Sequence, residues 1–243
     1  MASPEMNGAD VLLEVDSLQA GYGRSAVVFD VSFSVGRGEI VTVLGHNGAG
    51  KTTTLKTIFG LLRPLAGSMR YDGSDLASTT YTERARSGIS FTPAEKFVFP
   101  DLSVAANLRL GALGVADKGR RDHQERLVHD LFPILGERLG QAAGTLSGGQ
   151  QRILSIGIAL MSDPRLLLLD EPSLGVSPVI TQEILSALRR MADEEGRSAI
   201  LVEQNVGYAL REAQRVYVMR SGRTILEATA EEMRDREHWW DLF

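Results

Sequence analysis

The chain has 243 residues, of which 43% are hydrophobic and 23% are charged, and its formal net charge is −5. This composition is typical of a globular chain with a sizeable core, so it excludes disorder as a description of the whole chain. The acidic balance argues against nucleic-acid binding through bulk charge, so we expect no nucleic-acid partner.

The sequence has no cysteine, which excludes disulfides, zinc–thiolate sites and cysteine nucleophiles. No apolar run approaches the roughly 18 to 20 residues that span a bilayer, and the start lacks a signal-peptide pattern. We therefore expect an intracellular protein that is soluble or held at a membrane by a partner, with a disordered tail over residues 1–9.

The first elements are predicted from the spacing of apolar residues. Apolar and polar residues alternate around Leu13–Val15 and again over Val27–Val35, which predicts half-buried antiparallel strands. Glu39–Leu44 predicts a buried strand, Thr52–Leu62 a helix and Gly88–Thr92 a short strand. The N-terminal part is thus expected to form an antiparallel β subdomain beside the first core strand.

The second half alternates helical and apolar stretches. Leu102–Met161 is mostly helical in pattern, whereas Leu166–Leu169 is fully apolar and predicts a buried strand. Ser177 and Pro178 predict the N-cap and first residue of a helix that ends near Gly196.

The last part contains another apolar run, Ala199–Val202, and a hairpin signal at Ser221–Gly222. Strands that alternate with helices indicate an α/β fold with a mostly parallel core sheet. We expect one domain over residues 10–243, with a helical subdomain inserted at about residues 94–162.

A glycine-rich loop follows the strand predicted at Glu39–Leu44. It fits the pattern G-x-x-x-x-G-K-T between a strand and a helix, where the glycines let backbone N–H groups converge on phosphates and the lysine adds a positive charge. A glycine-rich turn that caps a helix is the alternative, and His46 is expected to be a spacer in the loop. The nucleotide-binding residues predicted here are Gly45, His46, Asn47, Gly48, Ala49, Gly50, Lys51, Thr52 and Thr53.

Two acids follow the apolar run Leu166–Leu169, at the strand end where parallel α/β sheets bind their ligands. Asp170 is expected to hold Mg²⁺ through water, together with the Thr52 hydroxyl. Glu171 is expected to polarise the water that attacks the γ-phosphate. Two acids leaving a strand are more often simply solvated, but the phosphate-loop pattern in the same chain favours the catalytic interpretation.

A second glycine motif, Leu146-Ser147-Gly148-Gly149-Gln150, precedes a predicted helix. Ser147 and Gln150 fit a capping box. A cap does not require Gly-Gly, however, and two glycines at a helix start let a phosphate approach the backbone closely.

With LSGGQ between the phosphate loop and LLLLDE, the chain resembles the ATP-binding-cassette (ABC) ATPases over nearly its whole length. The resemblance implies a P-loop nucleotide-binding fold, ATP and Mg²⁺ as ligands, and ATP hydrolysis as the activity. It implies that Tyr22 stacks on adenine and that Ser173–Val176 lies at the interface of two cassettes. Each site would then be completed by the partner cassette through Ser147, Gly148, Gly149 and Gln150.

Several stretches, among them HNGAGKTT, DEPSLGVSP and LVEQN, resemble the LivF-type ATPases of branched-chain amino acid uptake systems. Where most cassettes have a histidine that contacts the γ-phosphate, this chain has Gln204, as is typical of the LivF type, and the resemblance implies a catalytic role for it. The loop into the helical subdomain departs from the pattern, because Ala94 stands where Gln or Glu is usual. Either Glu95, one residue later, takes its place, or hydrolysis is weaker or differently coupled.

The resemblance implies an ATP-hydrolysing subunit of an importer for branched-chain or other amino acids. The implied partners are two permease subunits, a second LivG-like ATPase in a heterodimer, and indirectly a substrate-binding protein, at the cytoplasmic face of the inner membrane. An importer ATPase for urea or another small organic solute and a non-transport cassette ATPase are the alternatives. Trp239 and Trp240 are expected to belong to a docked C-terminal tail, with a subunit contact as the alternative.

Overall fold

The computed structural model describes residues 10–23, 25–95 and 97–235, and within them ten strands form one sheet. The strands are β1 Val11–Tyr22, β2 Ser25–Gly36, β3 Ile40–Leu44, β4 Pro64–Tyr71, β5 Ser74–Asp75, β6 Ile89–Thr92, β7 Leu166–Asp170, β8 Ser198–Glu203, β9 Arg215–Arg220 and β10 Arg223–Thr229. The α-helices of the same residues are α1 Lys51–Phe59, α2 Tyr81–Arg86, α3 Val104–Gly111, α4 Lys118–Leu131, α5 Pro133–Glu137, α6 Gly148–Leu160, α7 Pro178–Glu195, α8 Val206–Glu212 and α9 Ala230–Arg234. The tail predicted at residues 1–9 and the pair Trp239 and Trp240 lie outside the described residues.

The sheet has a parallel part and an antiparallel part, with the strand order β5-β4-β1-β2-β10-β9-β3-β8-β7-β6. Strands β9, β3, β8, β7 and β6 pair in parallel, whereas β2, β1, β4 and β5 pair antiparallel. Strand β10 joins the two parts, since it is antiparallel to β9 and parallel to β2. The predicted α/β fold, with a mostly parallel core sheet and an N-terminal antiparallel β part, is confirmed.

The hairpin predicted at Ser221 and Gly222 is the connection between β9 and β10. Both residues have a positive φ, 51° and 74°. A two-residue turn of this kind matches the twist of the flanking strands, which is why the Ser-Gly pair predicts the hairpin correctly.

The first four residues of strand β7 are all leucine because helices cover both faces of the parallel sheet. Leu166 and Leu168 belong to an apolar cluster that includes α1, whereas Leu167 and Leu169 belong to another that includes α6 and α7. Each of the four is at most 1% exposed. The strand is therefore fixed from both sides.

The helices α3 to α6 form the helical segment expected from the sequence. Gly157 of α6 lies where a Cβ would be 3.0 to 3.3 Å from side-chain atoms of Leu135, Leu108 and Val128, so the glycine lets α6 pack closely against its neighbours. One apolar cluster runs from these helices to the sheet. The boundaries at residues 94–162 for this segment and 10–243 for the domain stay predictions.

Some local predictions were wrong in extent. The helix predicted over Thr52–Leu62 is α1, which ends at Phe59 because Gly60 takes a left-handed conformation with φ 90° and its N–H bonds back to Lys56 and Thr57. Strand β4 was not predicted, since most of its side chains are exposed and it has no alternating apolar pattern. No helix of the described residues is both long and apolar enough to cross a membrane.

Candidate functional site

The glycine-rich loop connects β3 to α1 at the carboxyl end of the parallel strands. Gly48 and Gly50 have φ values of 83° and 101°, a conformation that favours glycine. A Cβ on Gly45 would lie 2.5 Å from the carbonyl oxygen of Met219, so this position also needs glycine. Glycines thus shape the backbone of the loop at three positions, where no side chain keeps an anion from the backbone.

Lys51 is 4% exposed, and its ammonium group lies inside this loop. The Nζ atom donates hydrogen bonds to the carbonyl oxygens of Gly45 and His46, at 2.6 and 3.1 Å, and lies 3.9 Å from Glu171 Oε1. Burial lowers the pKa of Lys51, while the charges of Glu171 and Asp170 raise it. The loop therefore holds a buried cation at the point where the phosphates of a nucleotide are expected.

Thr52 and Asp170 meet at the start of α1 and the end of β7. The Thr52 hydroxyl donates a hydrogen bond of 3.0 Å to Asp170 Oδ1, and Asp170 is 2% exposed. Burial raises the pKa of Asp170, although the Thr52 bond acts in the opposite direction. A hydroxyl and a single carboxylate are oxygen donors of the kind that Mg²⁺ uses when phosphates and waters complete its shell. No group of three or more His, Cys, Asp or Glu placed to hold a metal occurs in the part of the chain that the structure describes.

Glu171 and Gln204 contact each other directly. The Gln204 side-chain amide donates a hydrogen bond of 2.5 Å to Glu171 Oε1. Glu171 has a φ of 46°, which is uncommon for a residue with a side chain, and its N–H bonds to the carbonyl oxygen of Val202 at 2.9 Å. The fold thus brings together the two residues for which the sequence predicts catalytic roles.

One small cavity of about 120 Å³ lies between the phosphate loop, Glu171 and the N-terminal β part. Its lining residues are Val27, Asn47, Gly48, Gly50, Lys51, Thr52, Thr53 and Glu171. His46 and Ala49 line a neighbouring cavity of about 220 Å³ beside the β9–β10 turn, together with Asn47 and Gly48. Tyr22 is 48% exposed at the end of β1, in the same β1–β2 hairpin as Val27. The predicted adenine-stacking residue therefore lies on a hairpin that borders the loop.

The LSGGQ motif begins α6, and the predicted capping box is present. The Ser147 hydroxyl accepts a hydrogen bond from the Gln150 N–H, and Gln150 Oε1 accepts one from the Ser147 N–H. Ser147 and Gln150 do not line the cavity at the phosphate loop, nor do Gly148 and Gly149. The structure therefore does not bring the second glycine motif to the phosphate loop of its own chain.

Two charged residues near the site were not singled out from the sequence. Glu203 is 2% exposed and accepts hydrogen bonds from both the backbone N–H and the hydroxyl of Ser173. Arg152 of α6 is 1% exposed, and its guanidinium donates to the carbonyl oxygens of Pro93 and Ala94. A sequence signal existed for Glu203, since a carboxylate that ends an apolar strand is uncommon.

The loop around Ala94 is held through its backbone. Because Arg152 bonds to carbonyl oxygens, this contact does not depend on the side chain at position 94. Burial lowers the pKa of Arg152, while the charges of Asp170, Glu203 and Glu171 raise it. Glu95 is exposed. Arg152 thus connects the Ala94 loop electrostatically to the acids of the site.

Comparison with known proteins identifies relatives over most of the chain. The family model described as ABC transporter matches residues 28–174. The high-affinity branched-chain amino acid transport ATP-binding protein BraG of Pseudomonas aeruginosa is 44% identical over 218 residues, which are 90% of this chain and 93% of BraG. The probable branched-chain amino acid transport ATP-binding protein LivF of Archaeoglobus fulgidus is 34% identical, with 95% and 98% of the two chains covered. The lipopolysaccharide export system ATP-binding protein LptB of Escherichia coli K12 is 35% identical, with 93% and 94% covered.

Solved structures agree with the fold. A structure described as an ATP binding subunit of an ABC transporter has a TM-score of 0.80 at 29% identity, with 92% of both chains covered. A nucleotide-free ATP-binding cassette has a TM-score of 0.82 at 24% identity, with 93% and 94% covered, which shows the fold alone. The phosphate loop, the two acids at the end of β7 and these similarities lead to one conclusion: the chain belongs to the ABC transporter family, as one of its nucleotide-binding ATPase subunits.

Proposed function

We propose that this chain hydrolyses ATP to energise an importer of branched-chain or other amino acids. The observation that carries the catalytic part is the convergence of Lys51, Asp170, Glu171 and Gln204 at the carboxyl end of the parallel sheet. The identity of 44% with BraG, a branched-chain amino acid transport protein, supports the substrate class.

In this proposal the phosphate loop and Lys51 bind the β- and γ-phosphates, and Tyr22 stacks on the adenine ring. Thr52 and Asp170 hold Mg²⁺, which supplies positive charge to the phosphate oxygens. The buried ammonium of Lys51 donates hydrogen bonds to two carbonyl oxygens of the loop. Because the loop surrounds it, exchanging these oxygens for the oxygens of a bound phosphate needs no large movement.

Glu171 acts as the general base in this proposal. Its carboxylate takes a proton from a water molecule, whose oxygen then forms a bond to the γ-phosphorus while the bond to the β–γ bridging oxygen breaks and ADP leaves. Gln204 holds Glu171 Oε1 through its amide, which leaves the other carboxylate oxygen for the water. An amide can donate a hydrogen bond but cannot transfer the proton onward, so Gln204 orients and does not act as a base.

The second glycine motif has no place in the site of its own chain. In the proposal Ser147, Gly148, Gly149 and Gln150 face the γ-phosphate of a partner cassette, a LivG-like second ATPase. The Ser147 hydroxyl already caps α6, and its lone pairs allow a further contact.

Membrane attachment is proposed to occur through two permease subunits at the cytoplasmic face of the inner membrane, with a substrate-binding protein as a further, indirect partner. An exposed aromatic pair follows the Ala94 loop: Phe97 and Phe99 are 56% and 43% exposed and their rings contact each other edge to face. Exposed aromatic side chains of this size are common at protein interfaces.

The test is to trap the assembled complex. The variant Glu171→Gln should bind ATP and hydrolyse it slowly, so the tagged chain is purified from native membranes with ATP and its partners are identified by mass spectrometry. We expect two polytopic membrane proteins and a second cassette ATPase. The double variant Lys51→Ala, Glu171→Gln is the control, because it should not trap the closed cassette dimer, and the partners that remain with it are held by contacts that do not depend on ATP.

A second candidate, an exporter subunit, is favoured by the identity of 35% with LptB of the lipopolysaccharide export system. Co-purification of a homodimer with export components would support it against the importer. An importer of urea or another small organic solute would co-purify with the same kinds of subunit. Ligand screening of the associated binding protein distinguishes that importer from an amino-acid importer. Ribosomal or repair proteins in the purified sample would contradict transport and leave the ATPase assignment standing.

A further inference from the structure

Glu203 is a buried carboxylate at the end of β8 that has no part in the reaction described above. Its Oε1 accepts a hydrogen bond of 3.0 Å from the Ser173 N–H, and its Oε2 accepts one of 2.8 Å from the Ser173 hydroxyl. Both oxygens thus accept a hydrogen bond from the same residue. Since Glu203 is 2% exposed, it is closed to water and does not act as a second base.

The position of this carboxylate is energetically unfavourable. Burial raises the pKa of Glu203, and the charge of Glu171 adds to the effect, while the bonds from Ser173 and the Gln204 backbone lower it. A buried carboxylate without hydrogen bonds is strongly destabilising. The two bonds from Ser173 therefore offset a real penalty, and they tie Glu203 to a single place.

Three consecutive residues at this end of β8 hold the turn that carries Glu171. The carbonyl oxygen of Val202 accepts from the Glu171 N–H at 2.9 Å, and the Gln204 amide donates to the Glu171 carboxylate. Glu203, between them, holds Ser173, two residues beyond Glu171. Because Glu171 has a φ of 46°, the turn is in a conformation that a residue with a side chain keeps only when its surroundings impose it.

We propose that Glu203 is a positioning residue for Glu171. By binding Ser173 at two points it fixes the turn from Glu171 to Leu174, which is closed by a hydrogen bond of 3.0 Å between the Leu174 N–H and the Glu171 carbonyl. The effect on Glu171 is transmitted through Ser173 and does not depend on the negative charge of Glu203 itself. This inference rests on the proposed role of Glu171 as the base.

The test uses the assembled complex with the full-length wild-type chain or with the variants Glu203→Ala, Glu203→Gln, Ser173→Ala and Glu203→Ala with Ser173→Ala. We expect Glu203→Ala to lower kcat about tenfold to a hundredfold, since misplacement of a reacting group has effects of this order. The KM for ATP should change by no more than about twofold, because the phosphate loop is unaffected. The double variant should be no slower than Glu203→Ala alone, since the two residues act as one unit.

The variant Glu203→Gln separates geometry from charge. Its amide oxygen still accepts from the Ser173 N–H while the negative charge is gone, so kcat should stay within about threefold of the wild type. If Glu203→Gln is as slow as Glu203→Ala, or if the losses of Glu203→Ala and Ser173→Ala multiply, the positioning role is wrong.

Hydrogen–deuterium exchange over residues 171–176 is a readout that does not require hydrolysis. Faster exchange there in Ser173→Ala and Glu203→Ala is expected, and unchanged exchange contradicts the proposal even when Glu203→Ala is too unstable to assay. A wild-type complex, assembled with its partner cassette, that binds ATP without hydrolysing it argues against the proposed function. A wild-type chain that hydrolyses ATP alongside equally active variants argues only against the role of Glu203.

Discussion

The side-chain amide of Gln204 lies 2.5 Å from Glu171 Oε1, although the two residues are 33 positions apart in the sequence. This hydrogen bond occupies one oxygen of the Glu171 carboxylate and restricts rotation of the carboxylate group. Bonds to charged groups are among the stronger ones in proteins. The orientation of the proposed base is therefore set by the amide of the residue that follows the neighbouring strand β8.

Replacing Gln204 by Ala should reduce ATP turnover with little change in nucleotide affinity. Loss of a hydrogen bond to a charged group costs roughly 1.5 to 3 kcal/mol, or about tenfold to a hundredfold in rate if the bond acts in the transition state. Steady-state hydrolysis and binding of a fluorescent ATP analogue measure the two quantities. Gln182→Ala, at a half-buried position of α7 away from the site, is the matched control and should be close to the wild type. An equal loss of affinity in Gln204→Ala would mean that the amide serves nucleotide binding instead.

Replacing Ser147 by Ala tests the two roles of this hydroxyl together. Ser147 caps α6 and Ser103 caps α3, since each hydroxyl accepts a backbone N–H, from Gln150 and Ala106 respectively. Each serine-to-alanine change should lower the free energy of unfolding by about 1 kcal/mol. Only Ser147→Ala should also reduce ATP turnover of the assembled dimer, because only Ser147 is proposed to reach the partner's nucleotide. Equal turnover in the two variants would leave Ser147 with a capping role alone.

Replacing Ala94 by Glu should raise ATP turnover in the assembled complex. The backbone of this loop is held by Arg152 through carbonyl oxygens, so a new side chain can be added without loss of that contact. In the proposed mechanism the new carboxylate would contact Mg²⁺ and the attacking water. ATP hydrolysis and substrate uptake in reconstituted vesicles are the measurements. Unchanged or lower turnover would indicate that Glu95 already takes the place of the residue that is usual at position 94. Glu95→Gln would then be the inactivating change.

Replacing Arg215 by Met should destabilise the fold without a direct effect on the site. The guanidinium makes two bonds to Glu39, at 2.6 and 2.9 Å, and a further one to the Tyr217 hydroxyl. Burial lowers the pKa of Arg215, but the bonds and charge of Glu39 outweigh it and the pKa lies above its usual value. Breaking such a pair leaves an uncompensated buried charge and costs about 3 to 5 kcal/mol.

Urea unfolding measures this loss. The double replacement of Arg215 by Met and Glu39 by Gln should recover part of the stability, because Glu39 is then no longer a buried charge without its partner. Glu227, the other carboxylate bonded to Arg215, has a side chain that is 32% exposed and can be hydrated. A double variant no more stable than Arg215→Met would show that packing, and not the ion pair, is responsible.

Local features were determined by the sequence itself. The glycine pattern before Lys51, the Ser147–Gln150 capping box and the Ser221–Gly222 hairpin each involve residues within a few positions of one another. Their geometry follows from backbone preferences and short-range hydrogen bonds, which adjacent residue types already specify. The apolar run of β7 likewise predicted a strand buried on both faces.

The contacts that make the site work were decided by the tertiary structure. Strands β7 and β8 are parallel and pair Asp170 with Val202, so the residues that follow each strand meet although the chain between them forms a whole helix. This register brings Gln204 into contact with Glu171. It also brings Glu203 into contact with Ser173, from which it is 30 positions away in the sequence. Arg152 reaches the carbonyl oxygen of Ala94 over 58 positions because α6 packs beneath that loop. Such long-range pairs depend on strand order and register, which arise from packing of the whole core and cannot be inferred from the spacing of residues along one chain.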